Sequence, residues 1–343
     1  MNPFARLQNP TPWELCKISL GLCTLVPLRS LLVLLIVIFG GLCVLILHVL
    51  QCRTLSIWCL RINCRLLLFV LGFVHIQVVG NIPSPCPPVI VSNHISLIEA
   101  IHMVYLLGGR RGVAFVAKSS IFQIPVVGRL VRDVLQCIGV HRSVPGAAPA
   151  PPLKTATALI LERLQISQTT AATTSRNNPP LIIFPEGTTT NGNQLLSFKT
   201  GAFVARRPVL PLLYSFPASG SFVPTFESIW TPIYIVRTLS QPWNNLKCVL
   251  LAPMEPRVAV QGGSGKRREG EGEGEGGKKE LPSPQEYARQ VQNAMAQQFG
   301  VSVVEQDYQD KLTYHKALRA KYASHPRGAL YAMVVEPMLV KSN

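Results

Sequence analysis

Ser92-Asn93-His94-Ile95-Ser96-Leu97-Ile98-Glu99 follows the apolar run Pro88 to Val91 directly and places an imidazole five residues ahead of a carboxylate. Acyl transfer to a hydroxyl needs a base that titrates near neutrality to take the alcohol proton. Imidazole suits that task, and such help is typically worth about 10²–10⁴ in rate. A carboxylate on the other ring nitrogen would hold the tautomer and stabilise the imidazolium that forms, and Glu99 is the candidate. Five residues along a helix is about 500° of rotation, so the two side chains meet only if His94 sits in a loop and the helix begins near Ser96. Ser96 reads as the N-cap of that helix, and Ser96-x-x-Glu99 is a capping box. Two roles therefore compete for Glu99: cap of its own helix, or partner of His94. An ordinary turn histidine is the competing reading of His94 itself.

A second constellation is Leu181-Ile182-Ile183-Phe184-Pro185-Glu186-Gly187-Thr188-Thr189-Thr190-Asn191-Gly192. A buried strand stops at a proline, then a carboxylate, then a glycine that permits unusual dihedrals and close backbone approach. The threonines and free N–H groups could cradle a phosphate. The simpler alternative is a polar turn.

The elements needed to position these residues can be read around them. Strands are expected at Val89 to Val91, Val113 to Ala117, Leu181 to Phe184, Val209 to Tyr214 and Lys247 to Leu251, with helices at Leu97 to Leu107 and Thr155 to Gln168. Alternating strands and helices predict an α/β fold, a mixed and mainly parallel sheet with helices on both faces. Upstream, Leu31 to Leu50 carries no charge, and twenty residues at helical rise span about 30 Å, the thickness of a bilayer core. Gly40-Gly41 at its midpoint leaves a re-entrant hairpin open beside a straight span. Leu55 to Val79 is apolar but holds Arg61 and Arg65 on one helical face, as expected of a helix lying in the interface with its cations toward headgroups. The expected organisation is N-terminal membrane helices over 1–80, an α/β core over 81–256, a disordered Gly-Glu loop over 257–284 and a helical segment over 285–343.

Composition narrows the class. The 343 residues carry a formal charge of +16, yet only 15% are charged and 48% are hydrophobic. Basic residues are scattered without interleaved aromatics, so nucleic acid is not the expected partner; an anionic membrane surface and phosphate-bearing substrates are. Of nine cysteines, six fall between Cys16 and Cys64, and none forms a C-x-x-C pair, so no metal site is expected and reduced membrane-embedded thiols are.

In combination the motifs resemble the glycerolipid acyltransferase family, which contains the 1-acyl-glycerol-3-phosphate acyltransferases. His94-x4-Glu99 is similar to its His-x4-Asp motif, and Phe184-Pro185-Glu186-Gly187-Thr188 matches its Phe-Pro-Glu-Gly-Thr motif. Cys137-Ile138-Gly139-Val140-His141-Arg142 resembles the block between them, and Pro208-Val209-Leu210-Pro211 the proline-centred fourth block. Further runs, including Phe198 to Phe203 and Tyr308 to His315, look like a branch holding plant lysophosphatidylethanolamine and fungal lysophosphatidic acid acyltransferases.

The resemblance implies His94 as base and Glu99 as its orienting carboxylate. Asn93, Ser96, Lys118, Arg142, Glu186, Gly187, Thr188, Thr189 and Lys199 become the expected substrate contacts. It further implies acyl-CoA as co-substrate, a lysophospholipid acceptor (lysophosphatidic acid first, lysophosphatidylethanolamine next), no cofactor, and a cytosol-facing domain on the endoplasmic reticulum or a lipid droplet. Two departures stand out: Glu replaces Asp at 99, and Thr189 stands where many members carry Arg, removing a fork-shaped phosphate ligand. Lys118, Lys199 or Arg206-Arg207 could restore the charge. His141 and His315 read as surface histidines. A lipid hydrolase is the rival enzyme, but no G-x-S-x-G elbow is present. A non-catalytic membrane scaffold is the rival from another class.

Overall fold

The computed structural model describes residues 2–5, 12–140, 155–169, 178–217, 223–226, 231–257 and 281–322. Apolar helices come first. α1 (Pro12–Cys23) leads into a continuous helix over Leu25–Val49, made of α2 (Leu25–Leu35), a π-turn (Ile36–Gly40) and α3 (Gly41–Val49). Among the described residues this is the one helix long and apolar enough to cross a membrane. Only 11% of its most apolar stretch is buried, unlike the core helix of a soluble protein. α4 (Arg53–Val70) returns along it.

The helix runs through the glycine pair without a break. A side-chain carbon at Gly40 would lie 2.7 Å from Asn63 of α4, and one at Gly41 would lie 2.5 Å from Val126. Both glycines therefore serve close packing. The two arginines of α4 also make contacts within the protein. Arg61 donates to the carbonyl of Tyr105 at 2.9 Å, and Arg65 to those of Phe73 and Val74 at 3.2 and 2.9 Å. Carbonyls left without partners near chain reversals attract such donors, so both guanidiniums have partners within the protein.

The remaining elements are β1 (Ile76–Val79), β2 (Val89–Ser92), α5 (Ile98–Leu107), β3 (Ala114–Lys118), the single turn α6 (Val127–Arg129), β4 (Ile138–Val140), α7 (Ala156–Thr169), β5 (Leu181–Ile183), β6 (Gln194–Leu196), β7 (Val209–Ser215), α8 (Thr231–Ser240), β8 (Leu246–Leu250), α9 (Pro284–Phe299), β9 (Ser302–Val304) and α10 (Tyr308–Tyr322). The main sheet runs β1-β8-β7-β2-β5-β3-β4, parallel throughout except at β7–β8, and β6 pairs with β9 separately. β1 falls inside the stretch expected to be membrane helix. Its apolar residues run on from α4, but its ladder to β8 makes it an edge of the sheet.

Period-two alternation sorts the strand residues between two cores. Ile90, Ile182, Leu210, Leu212 and Tyr214 face the side packed by α4 and α5. Val89, Val91, Leu181, Ile183, Val209 and Leu213 face α7 and α9, where Ile160, Leu164, Tyr287, Val291 and Met295 meet them. Burial on both faces explains the near-continuous apolar runs. Pro211 sits within β7 next to β2, and the ladder to β8 begins only at Leu212.

The N-terminal helices are fastened to α8. Arg29 donates to the carbonyls of Leu239 and Pro242, each at 2.9 Å, and to that of Gln241. Glu14 is fully buried, accepts from the Gln241 amide, and pairs with Lys17 at 2.7 Å. A side-chain carbon at Gly21 would strike Ser240 at 2.7 Å. At the other end of the chain, Ser283 and Glu286 cap α9 reciprocally. Most of the Gly-Glu stretch, the apolar run at 329–340, and both His141 and Arg142 lie outside the described residues.

Candidate functional site

β2 and β5 are neighbours in the sheet and run the same way, with Val91 opposite Ile183. Their carboxyl ends therefore deliver residues 93–96 and 184–191 to one place, though the two segments are about ninety residues apart. This is the sheet end where open α/β folds bind ligands.

His94 occupies the loop after β2, and α5 starts at Ile98, so the five-residue spacing closes: the ring Nδ1 meets Glu99 Oε1 in a short contact. The imidazole is 19% exposed, whereas the carboxylate is fully buried. Glu99 also accepts the N–H of Ile95 at 3.1 and 3.2 Å and that of Ser96 at 3.1 Å. Glu99 thus serves His94 and the loop ahead of α5, but the expected capping box does not form: the helix is capped at Leu97 without a side-chain bond, and Ser96 Oγ accepts from Ile98 instead. Burial pushes the Glu99 carboxyl above its ordinary range, and His94 and the two N–H groups pull against that shift. The outer face of the imidazole stacks on Phe184, centroids 4.1 Å apart and planes 18° from parallel.

The turn after β5 holds His94 by its backbone. Glu186 is buried and accepts the N–H of His94 at 2.9 Å through one oxygen and that of Leu196 at 3.1 Å through the other. The carbonyl of His94 accepts the N–H of Thr190 at 2.9 Å. Burial raises Glu186 to about 8, with Glu99 adding to the rise and Lys311 opposing it. Gly187 takes φ +71°, and Lys199 passes so close that an added side-chain carbon would meet its ammonium and methylene at 3.0 Å.

The expected substrate contacts divide. Lys118 ends β3 at the same side of the sheet, and it and Lys199 are exposed. Thr188 is buried beside the turn. Asn93 and Ser96 are buried, with their polar atoms engaged in the interior. Asn93 spans the sheet, donating to the carbonyl of Tyr214 at 2.9 Å and accepting its N–H at 2.8 Å. Ser96 Oγ lies 2.6 Å from the Tyr234 hydroxyl and accepts the N–H of Ile98 at 3.1 Å. Thr189 is occupied too: Lys311 donates to its carbonyl at 2.6 Å and its Oγ1 at 2.7 Å. Tyr234 and Lys311 escaped the sequence reading. The run Tyr308 to His315 was the signal for Lys311, while nothing in the sequence marks Tyr234.

Asn191 completes the turn by gripping the chain's first residues, donating its amide to the carbonyls of Asn2 and Ala5 at 3.0 and 2.9 Å. Residues 75–215, which contain His94, Glu99 and the 184–191 turn, match the family model described as Acyltransferase. The chain carries an acyltransferase domain. Among similar proteins, the lysophospholipid acyltransferase LPEAT1 of Arabidopsis thaliana is 31% identical over 232 residues, 68% of this chain and 50% of the relative. The lysophospholipid acyltransferase LPCAT4 of Homo sapiens is 28% identical over 269 residues, 77% of this chain and 44% of the relative. The chain therefore spans about half the length of the curated relatives it matches. The crystal structure of the 1-acyl-sn-glycerophosphate (LPA) acyltransferase of Thermotoga maritima superimposes with a TM-score of 0.52 at 18% identity, covering 82% of this chain and 96% of that one. At that identity the likeness speaks for the fold of the acyltransferase domain alone.

Proposed function

We propose that the protein esterifies a lysophospholipid with the acyl group of acyl-CoA, with His94 as general base. The observation that carries this reading is the half-open imidazole, its Nδ1 engaged by buried Glu99 and its backbone gripped on both sides by the 184–191 turn. With Nδ1–H donated to Glu99, the Nε2 lone pair is left to accept the acceptor's hydroxyl proton. The alcohol oxygen attacks the thioester carbonyl, the C–S bond breaks as the ester forms, and the imidazolium returns its proton to the departing thiolate. Glu99 stabilises the imidazolium between those events, and no acyl-enzyme is needed. Lys118 and Lys199, exposed at the same rim, are placed to meet phosphate.

Lysophosphatidic acid is the acceptor we favour. A second reading, a zwitterionic lysophospholipid, gains support from relatives such as the lysophosphatidylcholine acyltransferase 2 of Homo sapiens, 26% identical over 250 residues. Exposed Leu97 and Ile235, close to Ser96 and Tyr234, give the site an apolar lip suited to a membrane surface. We assign that surface to the cytosolic leaflet of the endoplasmic reticulum or a lipid droplet, where acyl-CoA has access. Protease protection of the catalytic domain in sealed membranes tests the assignment.

Labelled acyl-CoA supplied with a panel of lysolipids tests the chemistry. Ester formation is expected, and His94→Ala should lower it by about 10²–10⁴ while the thermal midpoint stays near that of the parent. Transfer retained in that variant, or release of free acid in place of transfer, overturns the reading.

A further inference from the structure

Lys311 belongs to α10, 122 residues beyond the loop it contacts, and is only 5% exposed. An ammonium withdrawn from water loses several kcal/mol of hydration unless partners replace it. Those partners are the carbonyl and hydroxyl of Thr189, the face of the Phe4 ring 5.9 Å away, and the charge of Glu186. A lysine serving only to tack α10 to the loop could do so from the surface at little cost. Here the ammonium is instead buried on the carbonyl of Thr189, in the peptide whose N–H, that of Thr190, donates to the carbonyl of His94. Its charge opposes the rise of the Glu186 carboxylate that holds the N–H of His94. Both oxygens of that carboxylate accept backbone N–H groups, an arrangement the ionised form satisfies fully and the protonated form does not.

We propose that Lys311 is a positioning residue for acyl transfer. It holds Thr189 in place and sets a positive charge against Glu186, and so keeps the peptide of His94 seated on the 184–191 turn. The sequence of the turn lacks a cation at position 189, and the fold brings one there from the C-terminal helix. The inference rests on the reading of His94 as base. Among the described residues, the charged and titratable groups around Glu186 are His94 and Glu99 from the β2–α5 segment and Lys311 from α10, with Lys199 packed against the neighbouring Gly187; from β6 the N–H of Leu196 donates to it.

Lys311→Gln separates charge from contact, because the amide can still donate to Thr189. In the full chain in detergent, kcat at neutral pH should fall at least about tenfold while KM changes less than about threefold. The rising limb of kcat/KM should move to higher pH, and Lys311→Arg should restore both. A second readout needs no activity: the difference in thermal midpoint between parent and K311Q should widen from pH 6 to pH 9, as the Glu186 carboxyl ionises without its cation. An unchanged pH profile with a pH-independent midpoint difference would overturn the proposal and leave Lys311 a tether for α10. So would failure of K311Q to fold at pH 5 as well as at pH 8, whereas folding at pH 5 alone supports it. Should His94→Ala retain transfer, the base assignment falls separately, and the thermal comparison still decides the Lys311–Glu186 coupling.

Discussion

Glu186 accepts the backbone N–H of His94 at 2.9 Å, so the turn that ends β5 fixes the point from which the imidazole projects. The two motifs therefore act as one unit, with the carboxylate in the second holding the backbone of the histidine in the first.

A pH dependence follows from that burial. Glu186 is raised from an ordinary 4.5 to about 8, so the folded protein binds a proton that the unfolded chain has already released over this window. The sign is then fixed: this group's stabilising contribution is complete below about pH 4.5 and is lost as pH rises through about 8. Thermal midpoints should decline from pH 5 to pH 9 more steeply in the parent than in Glu186→Gln, which has nothing to titrate there. Parallel slopes would refute the assignment. The slope is the test, since the amide also forfeits one N–H partner.

Ser96 should behave as a structural residue. Ser96→Ala removes the link to Tyr234 and the acceptor for Ile98 N–H, and is expected to cost about 1–3 kcal/mol of stability. Tyr234→Phe should cost a similar amount, and the double variant should cost less than the sum of the two. Urea unfolding of the four proteins measures the coupling. A KM for acceptor raised tenfold at unchanged stability would return Ser96 to the substrate.

Gly40→Val should push α3 away from α4, because the added carbon falls on the Asn63 side chain. We expect a loss of about 1–3 kcal/mol, read as a lowered unfolding temperature in detergent. Replacing Asn63 by Ala in the same protein should recover part of it. No effect of G40V would mean that the helices are less closely apposed.

What could be read in advance was local. The pairing of His94 with Glu99 depends on a loop-to-helix transition that Ser96 and the capping pattern announce within six residues. Strands β2, β5 and β7 declare themselves by uninterrupted apolar runs. The edge strand β1 did not, because Ile76 to Val79 continues the hydrophobicity of α4 and only its partner β8 distinguishes it. The interior bonds of Asn93 and Ser96 were hidden for a related reason: a polar side chain in a motif looks the same whether it meets a ligand or a distant backbone. Lys311 and Thr189 could not be paired from spacing, since 122 residues separate them in the sequence. Gly40-Gly41 suggested flexure, and its actual use, admitting Asn63 and Val126, requires knowing what lies opposite.

The fastening of Arg29 and Glu14 to the end of α8 carries one more implication. A hydrophobic rod pinned at its base cannot swivel, so the elevation of the reactive nitrogen above a bilayer would be a built-in dimension of the molecule.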